Sequence, residues 1–277
     1  MTRLAVSSTF TLCCVSAFIR LPSLPMRRTA QLATQARRLS GLSRRQAAVV
    51  AGVAASTVSR LERGELDPTV STLEQILRAY GFRYGDGLRP NVDMDAVRAA
   101  RRVLEPELGI PVTIGSDQWF HRWDAAGLLT GKTKAERVIE LCARAAQQAN
   151  LAHRPGARLF VDRGWKAIAR DLNASGEPWA LTGAFAALPY TKIAVAVRTD
   201  LYVEDVERAA RAAGLDTGGA GPYVALIPFD DVTATGVRHL DTGVRLASFW
   251  QIVIDCFAGN DRMPDQATDM IRKAAPE

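Results

Sequence analysis

The sequence predicts a multidomain protein: a small all-α unit at residues 26–88, a helical middle region at 89–155 and a mixed α/β (α+β) unit at 156–277. Three observations predict it. Between Leu32 and Tyr80 apolar residues recur at three- and four-residue spacing, punctuated by Gly41, Gly52 and Gly64, the pattern of short packed helices. After Pro155 short apolar runs bounded by Gly, Pro and Asp alternate with helical segments. Charge is also unevenly spread: residues 26–89 hold eleven Arg, no Lys and five acids, a net of +6 that equals the net of the whole 277-residue chain. A polyanion neutralised by counterion release demands such a local excess of cations.

In the first unit, Leu32, Ala36 and Leu39 form the expected inner face of a helix that stops at Gly41. Ser43 and Gln46 have capping-box spacing, which starts a second helix at 44–51. Gly52 permits the positive φ of a tight helix-to-helix turn, and Val53 plugs the angle between the helices. A third helix at 55–63 turns Val58 and Leu61 inward, leaves Ser56, Thr57, Ser59 and Arg60 outside, and ends at Gly64. Ser71 and Glu74 repeat the capping spacing ahead of a helix that closes the core with Leu73, Ile76, Leu77 and Tyr80.

Several marks together, L-S-x-x-Q, A-G-V, V-S-R-L-E-R-G and D-P-T-V-x-T-L, resemble the Cro and lambda-repressor (Xre) type of helix-turn-helix domain over residues 29–84. The resemblance implies a five-helix domain that binds double-stranded DNA. By position it implies a phosphate or first-base contact for Arg44, base reading by Ala55, Ser56 and Arg60, and a structural ion pair between Arg37 and Glu62. Arg45, Thr57, Ser59 and Arg63 complete the expected DNA-binding set. Arg60 has the reach to bond guanine O6 and N7, whereas Ala55, standing where the family often has a long polar residue, offers only a methyl contact to thymine. Met26-Arg27-Arg28-Thr29 suits the start of such a domain. Residues 4–19 have the form of a secretory apolar core, yet are too short and too rich in Ser and Thr for a membrane span. Residues 1–25 are therefore expected to be a functionless leader from an over-extended gene start.

In the middle region, residues 93–104 read as a helix with Arg98, Arg101 and Arg102 on its outer face, ended by Pro106. Trp119, Phe120 and Trp123, within a helix at 116–126, are expected in a core, and residues 134–149 form a long helix. Beyond Pro155, strands are expected at 158–162, 193–198, 201–203 and 223–229, and helices at 204–213, 248–257 and 264–273. The Gly-rich run 215–222 lacks both the Lys of a P-loop and dinucleotide spacing, so it reads as a connection. Asp230-Asp231 is expected to cap a turn.

Catalytic and metal signatures are missing from the sequence. His121, His153 and His239 share no ligand spacing with one another or with a Cys, and Cys13, Cys14, Cys142 and Cys256 include no C-x-x-C. No cofactor, no metal and no enzymatic activity are expected, and the thiols suit a reducing, cytoplasmic setting. One further run, WALTGAFAALPYTKIAVAVR at 179–198 with RLASFWQIVIDCFAGNDRMPDQA at 245–267, resembles the C-terminal region of AbiEi-type antitoxins, with Asn260-Asp261-Arg262 replacing that family's Gly-Gly or Gly-Arg step. That resemblance implies an autorepressor encoded beside a nucleotidyltransferase-like toxin. The expected function is thus a DNA-binding regulator, a homodimer on an inverted repeat, acting as an antitoxin. The alternative is a repressor whose C-terminal unit senses a small molecule.

Overall fold

The computed structural model describes residues 26–130, 133–194, 198–218 and 222–274. The leader at 1–25, the centre of the strand expected at 193–198 and part of the loop at 215–222 lie outside the described residues. Four helices come first among the described residues: α1 (Met26–Ser40), α2 (Arg44–Ala51), α3 (Ala55–Glu62) and α4 (Val70–Ala79). Both bonds of the capping box start α2: Ser43 Oγ accepts from Gln46 N at 3.2 Å and Gln46 Oε1 accepts from Ser43 N at 3.0 Å. Gly52 closes the turn at φ +67°. Val58, Leu61, Ile76 and Leu77 are wholly buried between the helices.

Two local expectations need correction. The inner face of α1 is Ala33, Ala36 and Ser40, while Leu39 is 63% exposed. A face of small side chains lets α1 lie close against α3, and two leucines in fifteen residues do not by themselves choose a face. The cap of α4 is Thr69, whose Oγ1 accepts from Thr72 N at 3.2 Å, so Ser71 falls inside the first turn. After α4 comes an antiparallel hairpin, β1 (Phe82–Tyr84) with β2 (Leu88–Pro90), in which Arg83 faces Arg89, so residues 26–88 hold four helices where the resemblance implied five.

Three helices follow: α5 (Met94–Leu104), α6 (Ile114–Ala125) and α7 (Lys134–Ala146). Trp119 and Trp123 are buried with ring centres 5.5 Å apart, and the Trp119 indole N–H donates to Asp93 Oδ2 at 2.9 Å. Two of the three arginines expected outside α5 are a clear miss, while Arg102 is half-buried. Arg101 is fully buried, donating to Glu105 Oε2 at 2.5 Å, to Thr235 O at 2.9 Å and to Val232 O; Arg98, 6% exposed, donates to Asp231 Oδ2 at 2.5 Å. The helix is polar on this face because it docks on segment 230–235, which is remote in sequence. A buried guanidinium needs such partners, since an unpaired one is costly.

The last part contains β3 (Arg158–Val161), α8 (Trp165–Ser175), β4 (Trp179–Thr182), α9 (Gly183–Ala187), β5 (Thr199–Val203), α10 (Val206–Ala212), β6 (Tyr223–Pro228), β7 (Arg238–His239), β8 (Arg245–Leu246), α11 (Phe249–Phe257) and α12 (Met263–Ala274). Its strands form one mixed sheet in the order β3-β6-β5-β4-β8-β7, with β5 parallel to β6 across α10. The strand expected at 201–203 is β5, which begins two residues earlier at Thr199, whereas the strand expected at 193–198 falls partly outside the described residues. Residues 179–182, to which the sequence assigned no strand, form β4. Asp230 caps its turn as expected, its Oδ1 accepting from Thr233 N at 2.8 Å, while the Arg98 guanidinium beside Asp231 holds that carboxyl below the usual range. Deep between sheet and α11, the Asp255 carboxylate accepts from Thr182, Tyr202, Gln251 and Arg154 at 2.5–3.1 Å; burial pushes this carboxyl up against their pull.

The four-helix unit is fastened to the rest at the end of α7. Arg144 Nη1 and Gln147 Nε2 donate to Ser40 O, the terminal carbonyl of α1, at 2.9 and 3.0 Å. Gln148 Nε2 donates to Arg78 O at the end of α4 at 2.8 Å, while its Oε1 accepts from Asn91 Nδ2 at 2.8 Å. The same α7 packs on α11 and α12. One helix thus grips the helical unit and the sheet-bearing unit together.

Candidate nucleic-acid interface

The site follows from how α3 is held. Val58 and Leu61 sink into the core and fix the helix by one face, so Ala55, Ser56 and Arg60 stand exposed on the other. Thr57 and Ser59, expected wholly outside, are half-buried at the margins. No side chain caps the start of α3, where Ala54 occupies the N-cap position. Its first N–H groups and the positive end of its dipole therefore remain available to an anion.

Glu62 anchors the helix. Its side chain is 1% exposed and shared, Oε1 accepting from Arg37 Nε at 2.6 Å and Oε2 from Arg44 Nε at 2.7 Å. Arg44 was expected to contact phosphate or the first base. Here it also ties the start of α2 to the end of α3, with its side chain still 53% exposed. The sequence spacing pointed to Arg37 and left the second arginine unseen, since the i to i+18 pairing depends on the turn at Gly52.

The exposed cations divide into tied and untied. Arg63 donates from Nε and Nη2 to the two oxygens of Glu65 at 2.6 and 2.8 Å. This pairing raises the Arg63 guanidinium and holds the Glu65 carboxyl below the usual carboxylate range. The Arg45 and Arg60 side chains are exposed and make no hydrogen bond or ion pair among the described residues, although Arg60 is near enough to Glu65 to help hold that carboxyl down. Arg60 is thus the long donor on α3 free to reach a base edge, with Ser56 one turn earlier on the same face. Among the described residues no three His, Cys, Asp or Glu side chains gather as a metal group, and no helix is long and apolar enough to cross a membrane.

Residues 29–90 match the family model of a helix-turn-helix domain, which covers α1 to α4 and the hairpin. No curated protein matches the chain, and no solved structure does. The N-terminal part is a helix-turn-helix domain, joined to a unit of helices and mixed sheet.

Proposed function

We propose that this chain is a sequence-specific transcriptional regulator, a cytoplasmic homodimer that docks on an inverted repeat of double-stranded DNA. The observation that carries the reading is the free, exposed Arg60 on a face of α3 whose domain concentrates a net charge of +6. In this geometry α3 enters the major groove, Arg60 and Ser56 read base edges, Ala55 touches a thymine methyl, and Arg45 with Arg44 holds phosphate. The two half-sites of a dimer lie about 34–36 Å apart along the DNA, or a multiple of that. The role as an autorepressing antitoxin rests on the resemblance of residues 179–267 to AbiEi-type antitoxins. Its partner is then a nucleotidyltransferase-like toxin bound by the sheet-bearing unit.

Selection of bound fragments from genomic DNA tests the first part. Arg60→Ala is expected to lower affinity for the selected fragment by about 10- to 100-fold, equivalent to about 1–3 kcal/mol, with little change on random DNA. Arg44→Ala is expected to weaken both. Equal losses on both DNAs for Arg60→Ala sink the base-reading role. For the antitoxin role, co-expression with the product of an adjacent nucleotidyltransferase-like gene is expected to restore growth, and the lack of such a gene counts against it.

A further inference from the structure

The hairpin after α4 has two unlike faces. Phe82, Tyr84, Leu88 and Pro90 are half-buried, the first three against the core, while Arg83 and Arg89 alternate with them and stand exposed on the outer side. The register sets these two arginines directly opposite one another. Opposed residues in an antiparallel pair have Cβ atoms about 4.5–5.5 Å apart, and like charges at that spacing destabilise the pairing. Neither guanidinium makes a hydrogen bond or ion pair among the described residues, and Asp86, the acid of the intervening turn, binds neither. The stem of Arg89 runs over Gly85, where an added methyl group meets its Cγ at 3.4 Å. Backbone pairing thus holds two cations side by side, and no described residue neutralises them.

The root of the hairpin fixes where those cations stand. Gly81 packs against Gln147, whose side chain also donates to Ser40 O, just ahead of the Ser43 cap of α2. One residue earlier, the Tyr80 hydroxyl is pushed up by burial and lies in the fields of Glu62, Arg37 and Arg44. The strands therefore leave the domain from the corner that holds Arg44, the residue to which phosphate is assigned above.

We infer that Arg83 and Arg89 form a clamp for the phosphate backbone of duplex DNA, a contact outside α2 and α3 that adds affinity without reading sequence. Each guanidinium is a planar fork of donors matched to phosphate oxygens. A phosphate received between the two converts a repulsive pair into charge-assisted bonds, and its charge offsets the cost of opposing them. Because the contact touches no base edge, it acts alike on every duplex. The clamp rests on the chain being a DNA-binding regulator and extends that reading from the helices to the strand pair.

Fluorescence anisotropy of the full chain on a selected genomic fragment and on a random duplex, each at several salt concentrations, tests the clamp. Arg83→Gln combined with Arg89→Gln is expected to weaken binding to both duplexes alike, by about fivefold for each arginine near physiological salt. The slope of log K against log salt is expected to become shallower by about 0.9 per arginine removed. Arg83→Lys combined with Arg89→Lys keeps both charges and is expected to keep the native slope. Since the glutamines remove a repulsion, that variant is expected to melt at or above the native temperature, which separates a lost contact from a lost fold. An unchanged slope in the glutamine variant, a loss confined to the selected fragment, or a lower melting temperature overturns the clamp while the regulator reading stands. A native chain that binds neither duplex overturns the regulator reading and the clamp with it.

Discussion

A carboxylate with 3% exposure and a single arginine partner does not ionise like one in water. Burial pushes the Asp200 carboxyl up to about 6, the Arg198 guanidinium beside it pulling the other way. This value lies above the ordinary carboxylate range, so the folded protein takes up a proton at higher pH than the unfolded chain does. Stability linked to Asp200 therefore grows as pH falls from about 7 towards 4 and is withheld above pH 7, by about 2–3 kcal/mol in all. Thermal melts at pH 7.5 and 5.0 check this: the gain on acidification is expected to shrink in Asp200→Asn, and an identical gain in both proteins rules the effect out. Little of this was legible in the sequence, where Asp200 is one acid in a run that reads as a strand edge. Its environment is assembled from segments 40 to 60 residues away on either side. By contrast Arg60, Ser56 and Ala55 were readable, because a single helix period and two glycines decide which side of α3 faces water.

Helices with their own punctuation were the most readable elements. α2 carries cap, period and stop within the ten residues from Ser43 to Gly52, and α7 opens with Thr133 and Glu136 in the same reciprocal capping arrangement. α5 misled because a charged helix face ordinarily signals solvent, whereas Arg98 and Arg101 answer acceptors more than 130 residues distant. β4 was missed for a related reason: buried on both faces, its four residues lack the alternation that marks a strand. At the joint between α4 and β1 the backbone leaves no room. Gly81 has φ +83°, and a methyl group added there meets Gln147 O at 2.6 Å. Gly81→Ala is expected to cost about 1–3 kcal/mol in denaturant unfolding, from strained backbone and a forced shift of α7. Faster amide exchange near Ser40 and Arg78 is expected with it, and an unfolding curve that superimposes on the native one contradicts the close packing.

Over the whole molecule, charge and rigidity act together. With the net positive balance gathered at 26–89, affinity for DNA is expected to fall steeply with salt, log K against log salt sloping by about −0.9 for each phosphate neutralised. A flat response, measured by fluorescence anisotropy from low to physiological salt, counts against the arginine-rich face. The grip of α7 on Ser40 and Arg78 has a different effect: it denies the DNA-reading helices a swivel. In the proposed homodimer, two copies joined elsewhere in the chain would then act as a caliper with locked jaws. Each base pair added between half-sites turns one target away by roughly 34–36°, as about 10–10.5 base pairs complete a helical turn. Inserting five base pairs into the operator centre is expected to abolish tight binding and inserting ten to restore part of it. For the proposed dimer, measured distance, as much as the bases touched, would then decide where it settles.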